Sequence, residues 1–339
     1  MSLTYQKPAY QKLERASQSY EEICLLGAAA ELDLFTPLTQ GAMTAAELAT
    51  CREADLRAAT MALDALAALG FLEKSDEAPP RYRVAGEYRE LLDIGHPKTF
   101  VPMLRHRMNC IRQWVDLART LRSGKPEVCG TSLLGAEEDY RSFVLAMNSV
   151  GIGFAAKVVD DLGEAGLLGF KHLLDVGGAS GTYTLAMLER NPSAQATIFD
   201  RPAAIEEAKR RFAGTRFEAR LRFAGGDFDH DELPPGADFA WVSAIIHQFG
   251  REASQALYQK IHRALQPGGT VAVRDFVMDP TRTKPTGGAL FAINMLTATP
   301  TGMCYTFEEI KEDLELSGFT GVRFAVPTDD MGSIVIARK

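Results

Sequence analysis

The stretch His172-Leu173-Leu174-Asp175-Val176-Gly177-Gly178-Ala179-Ser180-Gly181-Thr182 constrains this chain more than any other. It opens as an apolar run carrying one carboxylate. It then turns through small residues and enters the helix-like Thr184-Leu185-Ala186-Met187-Leu188. Strand, glycine-rich turn and helix are the parts of a nucleotide-binding βα unit. Glycines in such a turn supply positive φ or let a ligand approach the backbone. A dinucleotide fingerprint G-x-G-x-x-G would require glycine at Gly177, Ala179 and Thr182, and two of these three fail. The spacing that fits is acid-x-Gly-x-small-x-Gly, at Asp175, Gly177, Ala179 and Gly181, with Gly178 inside the turn.

That pattern suits S-adenosylmethionine, which has no phosphate to seat on a helix N-terminus, and it resembles motif I of the class I methyltransferases. The competing reading is an ordinary tight βα turn. Two later signals favour the cofactor. Ala196-Thr197-Ile198-Phe199-Asp200 reads as a second buried strand ending in a carboxylate, followed by Arg201. An acid at this strand end, roughly 20 residues past the glycines, accepts hydrogen bonds from ribose hydroxyls. Gly225-Gly226-Asp227-Phe228 follows a third strand-like run. There Asp227 would accept from the adenine amino group and Phe228 would cover the ring. Three signals in order, each at a strand's carboxyl end, outweigh any one alone.

A chain of 339 residues suits two domains, each able to bury a core. Its 46% hydrophobic and 24% charged residues are those of a globular protein. A net charge of −7 argues against nucleic acid as the main partner. On the sequence alone, no apolar run is expected to approach the roughly 20 residues of a membrane span. Residues 1–7 lack the apolar core of a signal peptide. Cys24, Cys51, Cys110, Cys129 and Cys304 are odd in number and show no C-x-x-C spacing. Neither a disulfide framework nor a zinc site is indicated, and the acidic run 227–232 lacks ligand spacing. The expectation is a cytoplasmic protein without a metal or a membrane partner.

Residues 1–95 read as helices followed by a hairpin. A helix over 23–30 is closed by Leu34 and Phe35. Thr44 and Glu47 stand at capping-box spacing. An amphipathic helix over 56–69 stops at Gly70. The runs 71–73 and 81–84 flank a polar loop and form a wing. This describes a winged helix, a shape often used on DNA. Its third helix, however, is rich in Ala, Met and Leu and carries one arginine, so packing against a second subunit is the better use. Residues 96–168 read as helices, with one long element over 103–121, and they would shape a substrate cavity. From 169 to 339 strands at 173–176, 197–199, 221–223, 239–242 and 270–273 alternate with helices. Pro267-Gly268-Gly269 makes a turn before the fifth strand, and a closing hairpin ends the chain. The pattern predicts an α/β class: a Rossmann-like doubly wound sheet behind an α-helical winged-helix dimerisation domain.

The fourth strand leads to Ala244-Ile245-Ile246-His247-Gln248-Phe249, and the fifth ends at Arg274-Asp275. Ligands bind beyond the carboxyl ends of strands in such sheets, so His247 and Asp275 should meet beside the cofactor. A sulfonium methyl needs only an acceptor lone pair in line with the S–C bond. A hydroxyl is a poor nucleophile until its proton is removed. Histidine can remove it near neutral pH, and a carboxylate behind the ring fixes its tautomer. The bland alternatives are a buried structural histidine, and an ion pair of Asp275 with Arg274 or Lys284.

With these residues the sequence resembles the plant-type small-molecule O-methyltransferases and their bacterial branch, closely from about residue 158 and loosely over the whole chain. The resemblance implies a homodimer formed by the winged-helix-like domain. It also implies cofactor acids at Asp200 and Asp227, a catalytic histidine at His247, its supporting acid at Asp275, and pocket methionines at Met147 and Met295. Three departures stand out. Gln248-Phe249 replaces the usual Asp-Trp, Cys304 occupies the place of a second acid, and Ser243 that of a lysine near the cofactor. A substrate pocket is expected from Phe143, Met147, Phe291, Asn294, Met295, Thr299 and Cys304, mostly apolar.

The expected function is S-adenosylmethionine-dependent O-methylation of a small, largely apolar aromatic or polyketide-like metabolite, with S-adenosylhomocysteine as product. A C- or N-methyltransferase of the same fold is the first alternative. An NAD(P)-dependent oxidoreductase is opposed by the glycine spacing, and Tyr258 lacks a lysine four residues on. A ligand-sensing winged-helix regulator is opposed by the acidic balance and the apolar third helix.

Overall fold

The computed structural model describes residues 7–339, and residues 1–6 of the stretch lacking a signal-peptide core lie outside it. The chain divides into two compact units, residues 1–115 with 129–149 and residues 116–128 with 150–339.

The N-terminal unit begins with α1 (Pro8–Gln18), α2 (Glu21–Glu31) and α3 (Phe35–Gln40). Leu34 and Phe35 therefore open a third helix instead of closing the second. β1 (Met43–Thr44) leads into α4 (Ala45–Cys51). At this junction the capping box forms: the Glu47 N–H donates to Thr44 Oγ1 at 3.2 Å and the Thr44 N–H to Glu47 Oε2 at 2.7 Å. α5 (Leu56–Ala68) ends before Gly70 at φ +84°, and β2 (Leu72–Lys74) pairs antiparallel with β3 (Arg81–Val84) as the expected wing. α6 (Arg89–Leu92) and α7 (Val101–Val115) follow. The buried Arg105 of α7 donates through Nε to the Ala30 carbonyl at 3.0 Å and pairs with Glu138, so α7 is fastened to the end of α2. The helix read over 103–121 breaks at Asp116, and α8 (Leu117–Ser123) continues as a separate element.

α9 (Gly135–Glu164) is 30 residues long. It corrects the expectation that no apolar stretch approaches membrane-spanning length: between Phe143 and Val159 only Lys157 is charged, and length and composition together would suffice to cross a bilayer. Its last turns are used in packing, with Val158, Val159 and Leu162 buried in the core of the second unit.

The second unit alternates as expected. β4 (His172–Val176), α10 (Thr182–Arg190), β5 (Gln195–Asp200), α11 (Pro202–Phe212) and β6 (Leu221–Gly225) run one way across the sheet. β7 (Ala237–Ser243), α12 (Arg251–Ala264) and β8 (Leu265–Arg274) run the other way from β4. β9 (Val277–Met278) pairs with β10 (Tyr305–Thr306), with α13 (Thr286–Ala298) between them. α14 (Phe307–Leu316) precedes the closing hairpin of β11 (Thr320–Val326) and β12 (Ile334–Arg338). The strand order is β11-β12-β8-β7-β4-β5-β6, parallel from β8 to β6 and antiparallel at the hairpin. Strand order reverses between β4 and β7, which makes their carboxyl ends a topological switch point. Pro267-Gly268-Gly269 does not precede the fifth strand but interrupts it, as an irregularity between Leu265 and Thr270 in the β7–β8 register.

Side chains alternate across β7. Phe239 and Trp241 join the core under α9, α10 and α11, whereas Ala240 and Val242 join the core under α12 and α14. Both faces are therefore apolar, as a covered parallel sheet requires. Asp175 is one exception. Fully enclosed in β4, it accepts from Thr184 Oγ1 at 2.5 Å, which ties α10 to the sheet. Burial pushes its carboxyl up to about 7.

Two outcomes follow. Leu257→Ala, which hollows the core under α12, should lower the free energy of unfolding in urea by about 3 kcal/mol, whereas Thr306→Ala, which removes the cap of α14, should lower it by about 1 kcal/mol. The Asp175 carboxyl stays protonated in the fold while its unfolded counterpart ionises above the ordinary 3.8, so its contribution to stability falls as pH rises from there to about 7. Asp175→Asn should accordingly lose less stability than the parent between about pH 4 and about pH 7, measured by thermal unfolding. Equal losses in the two proteins would refute the buried-acid account.

Candidate active site

The turn after β4 is held against β5. The N–H groups of Gly177 and Gly178 both donate to the Phe199 carbonyl, at 2.8 and 3.3 Å. Gly177 and Gly181 have φ of +71° and +75°, which a side chain would strain. A Cβ on Gly177 would also come within 2.5 Å of Ile245, and Phe228 lies just beyond, so this residue keeps backbone accessible between two apolar side chains. Beneath Gly178 sits the Asp175 carboxyl, 2.7 Å from where a Cβ would stand. Asp175, 2% exposed, thus supports the turn from below.

Asp200 closes β5. Its Oδ2 accepts from the Ala179 N–H at 2.7 Å and its Oδ1 from the Arg201 N–H at 2.6 Å. Burial raises its carboxyl above the ordinary range, and the two N–H groups oppose that. Each oxygen keeps a second lone pair, which is what ribose hydroxyls require. Arg201 contributes this backbone group while its side chain is exposed. At the end of β6, Gly226 has no room for a side chain against Phe199. Asp227 Oδ1 accepts from the Asp229 N–H at 3.0 Å, and Lys260 Nζ holds the Phe228 carbonyl at 2.6 Å. Phe228 meets Phe249 edge-on, with ring centroids 5.7 Å apart. The Phe249 that stands in place of tryptophan thus backs the aromatic wall.

His247 lies in the one-turn helix Ile246–Gln248 after β7. Ala244, at φ +57°, turns the chain here, and its N–H is held by the Arg274 carbonyl at 2.9 Å. His247 Nδ1 is 2.9 Å from both Asp275 oxygens, and both side chains are buried. The Phe276 N–H donates to Asp275 Oδ1 at 2.8 Å. An ionised carboxylate only accepts, so Nδ1 carries the proton and Nε2 keeps the lone pair. The Phe291 ring stands perpendicular to the imidazole, with centroids 4.8 Å apart. Cys304 adds no second charge. Burial, reinforced by the charge of Asp275, pushes its thiol up to about 12.

The other expected pocket residues divide. Phe291 and Asn294 are half-buried on α13, and Met295 is buried there. Thr299 Oγ1 donates to the Met295 carbonyl at 2.8 Å and accepts from the Gly302 N–H at 2.9 Å, so its hydroxyl holds the loop beside His247. Phe143 and Met147 belong to the N-terminal unit, where Phe143 packs on His106 at 5.3 Å between ring centroids. Ser243 accepts at Oγ from Arg274 Nη1 at 3.1 Å.

The roles of two residues escaped the sequence reading, and a third, Arg274, entered it only as a competing ion-pair partner of Asp275. Thr184 anchors Asp175. Arg211 Nη1 donates to the Ser180 carbonyl at 3.1 Å and to Thr182 Oγ1 at 2.7 Å, pinning the glycine turn from α11. Arg274 is a buried cation at the sheet edge. An apolar strand interrupted by one arginine was the available signal for the last. Exposed backbone at Gly177 between Ile245 and Phe228, with acids ending β5 and following β6, fits an adenosyl cofactor.

Comparison with known proteins agrees with this geometry. A family model described as an O-methyltransferase domain matches residues 114–320, and an O-methyltransferase dimerisation domain matches residues 17–86. The tetracenomycin polyketide synthesis 8-O-methyl transferase TcmO of Streptomyces glaucescens is 33% identical over 304 residues, covering 87% of each chain. The 3-hydroxy-5-methyl-1-naphthoate 3-O-methyltransferase of Streptomyces sahachiroi is 29% identical, over 89% of this chain and 88% of that one. Human N-acetylserotonin methyltransferase, solved in complex with SAM, shares the fold with a TM-score of 0.81 at 24% identity over 98% of both chains. The dimerisation domain supports a homodimer. On this footing the chain belongs to the O-methyltransferase family, and it is a methyltransferase that draws on S-adenosylmethionine.

Proposed function

We propose that this enzyme methylates a hydroxyl of a small, largely apolar aromatic or polyketide-like acceptor, with His247 as general base. The observation that carries the reading is the buried His247–Asp275 pair at the carboxyl edge of β7 and β8, beside the glycine turn of β4. The two Streptomyces relatives, one of polyketide synthesis and one acting on a hydroxynaphthoate, support the acceptor class.

Bound S-adenosylmethionine supplies an electrophilic methyl group on sulfur. Asp275 holds the imidazole so that Nε2 takes the acceptor hydroxyl proton as the oxygen attacks, and its charge stabilises the imidazolium that forms. Phe291, edge-on to that ring, restricts its rotation and offers an apolar surface to an aromatic acceptor. The neutral Cys304 leaves His247 with a single acidic partner, which favours acceptors whose hydroxyl already ionises readily.

His247→Ala should lower kcat for a hydroxylated aromatic acceptor by about 10²–10⁴-fold. Cofactor affinity, measured by calorimetry, should stay within about threefold of the parent, since the ring acts on the acceptor. Transfer by His247→Ala at the parental rate would remove the base assignment. Asp275→Asn should reduce kcat less than His247→Ala in the same assay. Across a series of ring-substituted phenols of equal size, turnover should rise as the phenol becomes more acidic. Transfer only to amines or ring carbons in that series would overturn the hydroxyl reading.

A further inference from the structure

Arg274, the last residue of β8, is a cation inside the second unit. It is 4% exposed. Its Nη1 donates to Ser243 Oγ at 3.1 Å, its guanidinium lies 5.3 Å from the centroid of the Tyr183 ring, and its Nε–H has no partner. Among the described residues it forms no ion pair. Asp330, whose charge reaches it, already has its Oδ1 engaged by Thr328 Oγ1 at 2.7 Å and the Gly332 N–H at 2.6 Å. Burying a charge without a partner is unfavourable, and an orphaned buried donor adds to that. A buried arginine in this condition is suited to an anion that arrives from outside the chain.

Its place in the fold identifies the anion. Ser243 and Arg274 are register partners at the carboxyl ends of β7 and β8. β7 lies next to β4, from which the glycine turn leads into α10, and Tyr183 is the second residue of that helix. The guanidinium therefore stands at the switch point, beside an α-helix N-terminus whose dipole also favours negative charge. S-adenosylmethionine carries one anionic group, the carboxylate of its methionyl end. The acids at Asp200 and Asp227 suit the ribose and adenine, which leaves that end for the β7–β8 side. Ser243 occupies the position where the resemblance places a lysine, and the arginine bonded to it returns a cation to this edge from the neighbouring strand.

We propose that Arg274 is the anchor for the cofactor's methionyl carboxylate, with Ser243 orienting its guanidinium. The inference rests on the cofactor assignment, and the test separates the two. Binding of S-adenosylhomocysteine and of its decarboxylated analogue, which differ only in the carboxylate, is measured by calorimetry on the full chain. The parent should prefer S-adenosylhomocysteine. In Arg274→Met that affinity should fall about 10- to 100-fold while the analogue binds as before, because a charge-assisted pair has been lost. Ser243→Lys added to Arg274→Met should restore the preference in part. Equal losses for both ligands would make Arg274 a structural support, and no loss for either would exclude the contact; each result overturns the proposal. Failure of the parent to bind either ligand would overturn the cofactor assignment itself and this inference with it.

Discussion

A parallel strand covered on both faces cannot turn back directly to its neighbour. Its chain must cross over through a helix, so every strand opens its carboxyl end onto the same edge of the sheet. This constraint underlies the whole site. It brings Gly177, Asp200, Asp227, His247 and Asp275 to one rim although 98 residues separate the first from the last. The reversal of strand order at β4 and β7 then opens a crevice at the middle of that rim. The antiparallel hairpin contributes as well: β12 covers β8, and the Ser333 carbonyl accepts from the Asp275 N–H at 3.1 Å. An element remote from the glycine turn therefore fixes the acid behind His247.

The charges drawn into this edge are accommodated in four different ways. Asp175, its carboxyl pushed up to about 7 by burial, works as a support for α10. Asp200 is embraced by two backbone N–H groups. Asp275 is matched by the imidazole and one further N–H. Arg274 has a serine, an aromatic face and an unused donor. The first is complete within the chain, and the next two retain lone pairs or work through a ring that can exchange a proton. The last remains short of an opposite charge. This gradation separates a group whose bonding is complete within the chain from groups left with lone pairs, an exchangeable proton or an unused donor, and exposure alone would not have done so.

The N-terminal unit presents a different balance. α5 buries Ala59, Leu63 and Leu66 but leaves Leu56 and Met61 exposed, with Leu69 just after it exposed as well, a pattern suited to a second copy of a dimerisation domain. Its interior is closed partly by polar fastening, with Arg105 and Arg112 of α7 reaching Ala30 and Glu31 at the end of α2.

Much of this architecture was legible in the residues. Short apolar runs alternating with helical segments located β4 to β8, the Thr44–Glu47 spacing located a helix start, and the order of acids after β5 and β6 pointed to the cofactor. These signals are local: backbone conformation, capping and strand-end carboxylates depend on a few neighbouring residues. What the chain alone left open depends on residues far apart in it. Sequence could not tell that Asp175 lies under its turn, that Thr299 holds a loop, that Cys304 is a neutral neighbour of Asp275, or that Arg274 lies against Ser243 and Tyr183. Burial and charge balance are set by which side chains arrive from other strands and helices. Only the folded sheet determines those meetings, because its register decides which face each residue takes and what solvent each charge gives up.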